Sequence, residues 1–241
     1  MDILPHSARN TLNQQQQLLY DTVLQHYYRL CQGGNPQPLR IQVNGSGGTG
    51  KSYMLKVISS RLQVLSAKSG KPSPIVRAAP TGVASNQIQG QTMHSLFRLP
   101  IDRGKFRPLA DNPGNLQTLQ STFRGIHYLV LDEKSMLGLY HLGWIDQRLR
   151  EIFPSRSNQY WGGISVILMG DFFQLPPVGA KSLISQDFQN FKPDEYPGYN
   201  AYRTLSKSIL LTTIQRQQGE GQAEFRTALS ELRFMNVSMH S

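Results

Sequence analysis

Gly45-Ser46-Gly47-Gly48-Thr49-Gly50-Lys51-Ser52 fits the pattern G-x-x-x-x-G-K-[ST]. The residue types follow from what a polyphosphate requires. Glycines let the backbone curl until successive N–H groups face the phosphate oxygens. A helix that starts where the loop ends adds its positive pole. Lys51 reaches the outer phosphates and Ser52 offers its hydroxyl to Mg²⁺. The whole run, Gly45 to Ser52, is therefore expected to bind a nucleotide.

A metal-bound nucleotide needs a carboxylate partner. Ile126-His127-Tyr128-Leu129-Val130-Leu131-Asp132-Glu133 is an apolar run that ends in two acids. An Asp at the C-terminal end of a strand can hold Mg²⁺, and an adjacent Glu can take a proton from an attacking water. The nearest acids upstream are Asp21, Asp102 and Asp111. Asp171, in Met169-Gly170-Asp171-Phe172-Phe173-Gln174, is the rival for the metal role. Gln174 adds a neutral amide that can touch both water and the terminal phosphate. Its bland alternative is a loop amide that caps a turn.

These groups work only if strands deliver them to one edge. Leu39–Val43, Ile75–Ala79, Ile126–Leu131, Ile164–Met169 and Ser208–Leu211 read as strands. Helical spacing runs over Thr11–Leu30, Gly50–Leu65, Val83–Ile88, Leu137–Ile152 and Glu220–Arg233. Residues 99–120, rich in Pro, Gly, Asn and Arg, read as an irregular insertion. Strands alternating with helices imply an α/β fold, a doubly wound parallel sheet with helices on both faces.

Composition narrows the class. The chain has 241 residues, enough for a sizeable core, and 17% charged residues. No apolar run is long enough to cross a membrane, and MDILPHSARN lacks the pattern of a secretory signal. The single cysteine, Cys31, excludes an internal disulfide framework and a cysteine-cluster metal site. Lys and Arg total 25 against 15 Asp and Glu, a net charge of +10. That excess lies wholly in residues 1–124, and no carboxylate side chain occurs from Thr22 to Ile101. Such a stretch suits a surface that meets phosphates.

The motif series resembles the Pif-type (petite integration frequency) DNA helicases, relatives of the RecD-like branch of superfamily one. Leu12-Asn13 with Gln16 resembles the adenine-reading glutamine motif, and Gly45–Ser52 the phosphate loop. Ala79-Pro80-Thr81-Gly82-Val83-Ala84, with Gly90, Thr92, His94 and Ser95, resembles a single-strand-contacting motif. Asp132-Glu133 with Ser135-Met136 resembles the metal motif. Gly170-Asp171-Phe172-Phe173-Gln174-Leu175-Pro176-Pro177-Val178 is the most specific block. Leu211 with Arg216-Gln217, then Phe225, Leu229 and Arg233, resembles the motif that closes the first motor domain.

The resemblance implies a RecA-like P-loop NTPase domain and a role for each residue. Gln16 would read adenine; Lys51 would hold phosphate; Ser52 and Asp132 would hold magnesium. Glu133 would be the base, and Gln174 and Arg216 would face the γ-phosphate. Thr81, Gly82, Thr92 and His94 would bind the DNA backbone. Phe97 would either stack a base or lie in the core. Residues 99–120, with Arg103, Lys105 and Arg107, would form a wedge or a solvated connection.

The implied activity is 5′-to-3′ ATP-dependent DNA unwinding in genome maintenance, in the nucleus or the mitochondrion. Residues 1–241 would then be one motor domain of two, because nothing after Arg233 resembles the second. The alternatives are a non-catalytic nucleic-acid-binding remnant of a helicase and an unrelated phosphate-loop ATPase. The Gly170–Val178 block argues against the last. Lys134 departs from the family, which has an aliphatic residue there. A lysine at that point is expected to pair with a carboxylate or shift the local charge balance.

Overall fold

The computed structural model describes residues 3–101, 106–109 and 112–215. Among the described residues six strands occur: β1 Arg40–Gly45, β2 Ile75–Ala79, β3 Gln91–Thr92, β4 Tyr128–Leu131, β5 Ser165–Gly170 and β6 Lys207–Leu211. They form one sheet in the order β3-β2-β4-β5-β1-β6, and every neighbouring pair is parallel. All the strands therefore end at the same edge.

Side chains alternate across each strand, and here both faces are covered. Tyr128, Val130, Ile167 and Met169 pack with Val23 and Leu24 of α1 (Gln14–Cys31) and with Leu55 and Ile58 of α2 (Lys51–Ala67). Leu129, Leu131, Val166 and Leu168 face the opposite layer. That layer holds α4 (Met93–Phe97), α5 (Pro113–Thr122), α6 (Leu139–Ile152) and α7 (Glu195–Arg203). Burial on both faces explains the unbroken apolar runs of β4 and β5. The doubly wound sheet expected from sequence is the one observed.

The boundaries differ for local reasons. The first helix begins at Gln14 rather than Thr11, because a capping box stops it. Asn13 Oδ1 accepts from Gln16 N and Gln16 Oε1 accepts from Asn13 N, both at 3.0 Å. A 3-10 turn, His6–Thr11, precedes it.

The segment expected to be irregular is partly helical. Asn112 accepts from Asn115 N at 3.2 Å and Pro113 occupies the first turn, so α5 forms and buries Leu119 against the core. Arg103 and Lys105 lie outside the described residues. Arg107 is exposed, and its carbonyl accepts from Arg148 Nη2 at 2.8 Å. The short β3, α4 and the α7 helix were not expected. The helix expected over Glu220–Arg233 lies outside the described residues.

Candidate active site

The phosphate loop joins β1 to α2. Gly50 caps the helix with φ +79°, a conformation that favours glycine, and a Cβ there would lie 2.6 Å from Gln16 Nε2. Thr49 is fully buried and its hydroxyl donates to Ser46 O at 2.8 Å. Lys51 Nζ donates to Gly45 O at 2.7 Å and Ser46 O at 3.1 Å, so the ammonium lies folded over the loop. Ser52 is exposed in the first turn of α2.

Gln16 does something sequence reasoning did not foresee. Its Nε2 donates to Thr49 O at 3.0 Å while its Oε1 caps α1, and the residue is 2% exposed. The amide is a brace between α1 and the phosphate loop. Its neighbour Gln15 braces the next strand: Oε1 accepts from Thr212 N and Nε2 donates to Thr212 Oγ1, both at 2.9 Å. Gln215 N then donates to Gly48 O at 2.8 Å, which ties the chain after β6 to the phosphate loop. Arg216 lies outside the described residues.

The acid pair follows β4. Asp132 is buried, and its Oδ1 accepts from Glu133 N at 2.9 Å. Burial pushes its carboxyl above the usual range, against the opposing pull of that N–H and of Lys51. Glu133 has φ +53°, an uncommon conformation for a side chain of its size. Its carboxyl is also pushed up, first by burial and then by the charge of Asp132; Lys51 opposes and Asp171 adds to it.

Lys134 is fully buried beside them. It donates to the side-chain carbonyl of Asn44, the residue before the phosphate loop, and its Nζ lies 4.4 Å from the Phe172 ring centre. Of the two expected outcomes, the side chain thus meets an amide and an aromatic face directly, while the Asp171 carboxylate acts on it as part of the local charge balance. Burial lowers the ammonium to about 8, with Asp171 opposing and Lys51 reinforcing. Asn44 carries this contact, and no motif pointed to it.

Asp171 follows β5 and is buried; its Oδ1 accepts from Phe173 N at 3.1 Å and its carbonyl from Gln174 N at 3.1 Å. These bonds turn the chain so that Gln174 is exposed. A cavity of about 670 Å³ opens there, and Thr81, Glu133, Ser135, Phe173 and Gln174 are among its walls. It joins the end of β2 to the acid pair and the Gln174 loop.

The candidate strand contacts divide. Thr81 caps α3 (Gly82–Gln87) by accepting from Ala84 N, and Thr92 caps α4 by accepting from Ser95 N, each at 3.2 Å. A hydroxyl that accepts one bond still carries its proton. Gly82 is exposed at the first turn of α3. His94 is half-buried, edge-on to His141 at 5.6 Å, and burial lowers its imidazole. Phe97 is corrected: it is fully buried, 5.7 Å from the Phe123 ring, and has no face for a base.

Residues 11–234 match the family model described as PIF1-like helicase. The chain belongs to that family. Over 174 residues it is 35% identical to the ATP-dependent DNA helicase RRM3 of Saccharomyces cerevisiae, covering 72% of this chain and 22% of the relative. Over 199 residues it is 32% identical to the ATP-dependent DNA helicase PIF1 of Candida albicans, covering 80% of this chain and 20% of that one. The chain thus spans about a fifth of the length of these relatives.

Solved family members agree in fold. The Candida albicans Pif1 crystal structure superposes with a TM-score of 0.72 at 26% identity, over 95% of this chain and 45% of that chain. Bacteroides Pif1 in complex with ADP-AlF3 and single-stranded DNA gives 0.63 at 26% identity, over 94% of this chain and 47% of its own. The family membership confirms the RecA-like α/β reading and sets aside the unrelated ATPase.

Proposed function

We propose that this chain is the first motor domain of a 5′-to-3′ ATP-dependent DNA helicase. The observation that carries the reading is the shared cavity, in which Thr81 of the strand-contacting segment faces Glu133 and Gln174 of the hydrolytic edge. On this reading, residues that sense phosphate and residues that touch the strand share one space. The ADP-AlF3 and single-stranded DNA of the Bacteroides relative support the same pairing of ligands.

ATP would lie on the phosphate loop, its phosphates replacing the Gly45 and Ser46 carbonyls as acceptors for Lys51. Gln16 would read adenine by exchanging its bond to Thr49 O. The raised basicity of the Glu133 carboxylate suits it to take the proton as water attacks the γ-phosphate. Gln174 would touch that water and phosphate. Arg216 would stabilise the transition-state charge, a reading supported by the anchorage of Gln215 at Gly48.

Among the described residues, no three or more His, Cys, Asp or Glu side chains cluster as a metal cage. The donors present are the Ser52 hydroxyl and the Asp132 carboxylate, oxygen ligands that fit Mg²⁺ held together with nucleotide phosphates. When bound, the ion neutralises charge on the β- and γ-oxygens. Thr81, Gly82, Thr92 and His94 would hold the DNA backbone. The setting this reading suggests is genome maintenance in the nucleus, with the mitochondrion as the alternative compartment.

The test is Lys51→Ala with a fluorescent ATP analogue. Binding is expected to fall by a factor of ten or more, on the order of one charge-assisted hydrogen bond. Unchanged nucleotide affinity would overturn the site.

A further inference from the structure

The site above uses one edge of the sheet. At the other edge, where β4 and β5 begin, lies a second cavity of about 400 Å³. Its walls include Asn35 and Gln37 after α1, His127 before β4, Arg156 and Gln159 after α6, and His26 from α1. None of the described residues that line it bears a carboxylate. β5 has six residues, so at about 3.3 Å per residue the two edges stand roughly 20 Å apart.

The wall is built rather than incidental. His26 is 8% exposed, with Nδ1 2.6 Å from Tyr128 OH and Nε2 3.1 Å from Gln37 O. Arg156 is half-buried, packs over the Phe153 ring at 4.6 Å and reaches Gly163 O with Nη1 at 3.4 Å. A guanidinium carries five donors in a planar fork. Cations also stand near the cavity: Arg156 and Lys71 depress the His127 imidazole further after burial has done so, and Arg29 acts in the same sense on His26, which burial lowers and the bond to Gln37 O opposes. Asp146, in the same part of the fold, is engaged by Arg150 at 2.8 Å and by the Trp161 N–H.

Positive potential, a planar fork and neutral amide donors exclude a cation and suit a tetrahedral oxyanion. We propose that this cavity binds a phosphate group, anchored by Arg156, with His127, Asn35 and Gln159 as further donors. His26, Arg29, Asn35, Gln37 and Lys71 all come from the carboxylate-free stretch Thr22–Ile101. That stretch therefore serves both edges of the sheet, and the phosphate loop accounts for only part of it. The phosphate can come from a free small molecule or from a nucleic-acid backbone.

The proposal is independent of the ATPase reading, so it is tested in Lys51→Ala, where the phosphate loop is weakened. The histidine ring resonances are followed by NMR at neutral pH, in one titration with inorganic phosphate and in another with a short oligothymidylate. His127 is expected to shift and saturate in at least one. Saturation by inorganic phosphate identifies a free-phosphate site, and saturation by the oligonucleotide alone identifies a backbone site. Adding Arg156→Ala should weaken the response by about tenfold or more. Exposed Lys71→Ala, which leaves the core untouched, should weaken it by about two- to threefold. The proposal is overturned if His127 stays unmoved by both ligands, or if its response survives Arg156→Ala undiminished.

Discussion

Glu133 and Lys134 are adjacent and carry opposite charges, and burial acts against both. The Glu133 carboxyl titrates above its ordinary 4.5. Above the raised value the ionised group costs stability, and the cost disappears as pH falls through it and then below 4.5. Glu133→Gln should therefore melt higher than the parent at neutral pH, and under its proposed role as the base it should lose hydrolysis while keeping ATP binding. Melting curves should show the gap closing toward pH 4. Lys134 runs the other way, its ammonium lowered to about 8. Below that value the buried charge is a cost; as pH rises above 8 the folded state sheds its proton first and the cost falls. The parent should thus gain on Lys134→Met between about pH 8 and 10, read from the same melts. A flat difference would mean that the Asn44 and Phe172 contacts leave the ammonium unperturbed. The motif residues were legible because their spacing is local, within one loop or at one strand end. Asn44 and the Gln16 brace were not, because each acts across a distance in sequence that no spacing encodes.

Elements were legible where periodicity was strong and illegible where Pro and Gly stood inside them. The sequence predicts β2 to the residue and α2 and β5 nearly so: β5 is an apolar run, β2 is apolar but for Arg77, and α2 carries helical spacing that starts directly at the phosphate loop. α7 contains Pro197-Gly198, a pair that reads as a turn. The structure uses that glycine for contact rather than for turning: a Cβ on Gly198 would lie 1.7 Å from Leu139 O, and the facing residue of α6 is Gly143. The two helices touch backbone to backbone. Gly198→Ala cannot be absorbed by a side-chain rotation and should cost at least the upper part of the roughly 1–3 kcal/mol seen for overpacking. Urea unfolding would check this, and a loss under about 0.5 kcal/mol would mean α7 can slide. α5 was missed for a related reason. Residues 99–120 read as irregular from their Pro, Gly and Asn content, yet Asn112 followed by Pro113, a capping Asn before Pro, is also how a helix starts. Only the burial of Leu119 and Phe123 separates the two.

At the scale of the molecule, the sheet sets what this chain can do by itself. All six strands end at one edge, so the phosphate loop, the acid pair and the Gln174 loop form a single wall. A wall can bind a nucleotide and a strand without moving either. On the proposed reading, unwinding takes a second such wall that closes on the first and opens again, and this chain spans 22% of the yeast relative's length. The isolated 241-residue chain should therefore bind ATP with Mg²⁺ and single-stranded DNA but leave a forked duplex paired. The charge distribution makes the strand affinity strongly dependent on salt. Each phosphate neutralised by Lys or Arg contributes about −0.7 to the slope of log K against log salt for a single strand. The net +10 of residues 1–124 supplies enough cations for a slope steeper than about −2. Fluorescence anisotropy across a salt series measures that slope, and a strand-displacement assay with the same preparation measures unwinding. A flat salt response would remove the meaning of the basic half. Strand separation by this chain alone would show that one wall suffices, and would overturn the two-domain reading of the family's motor for this protein.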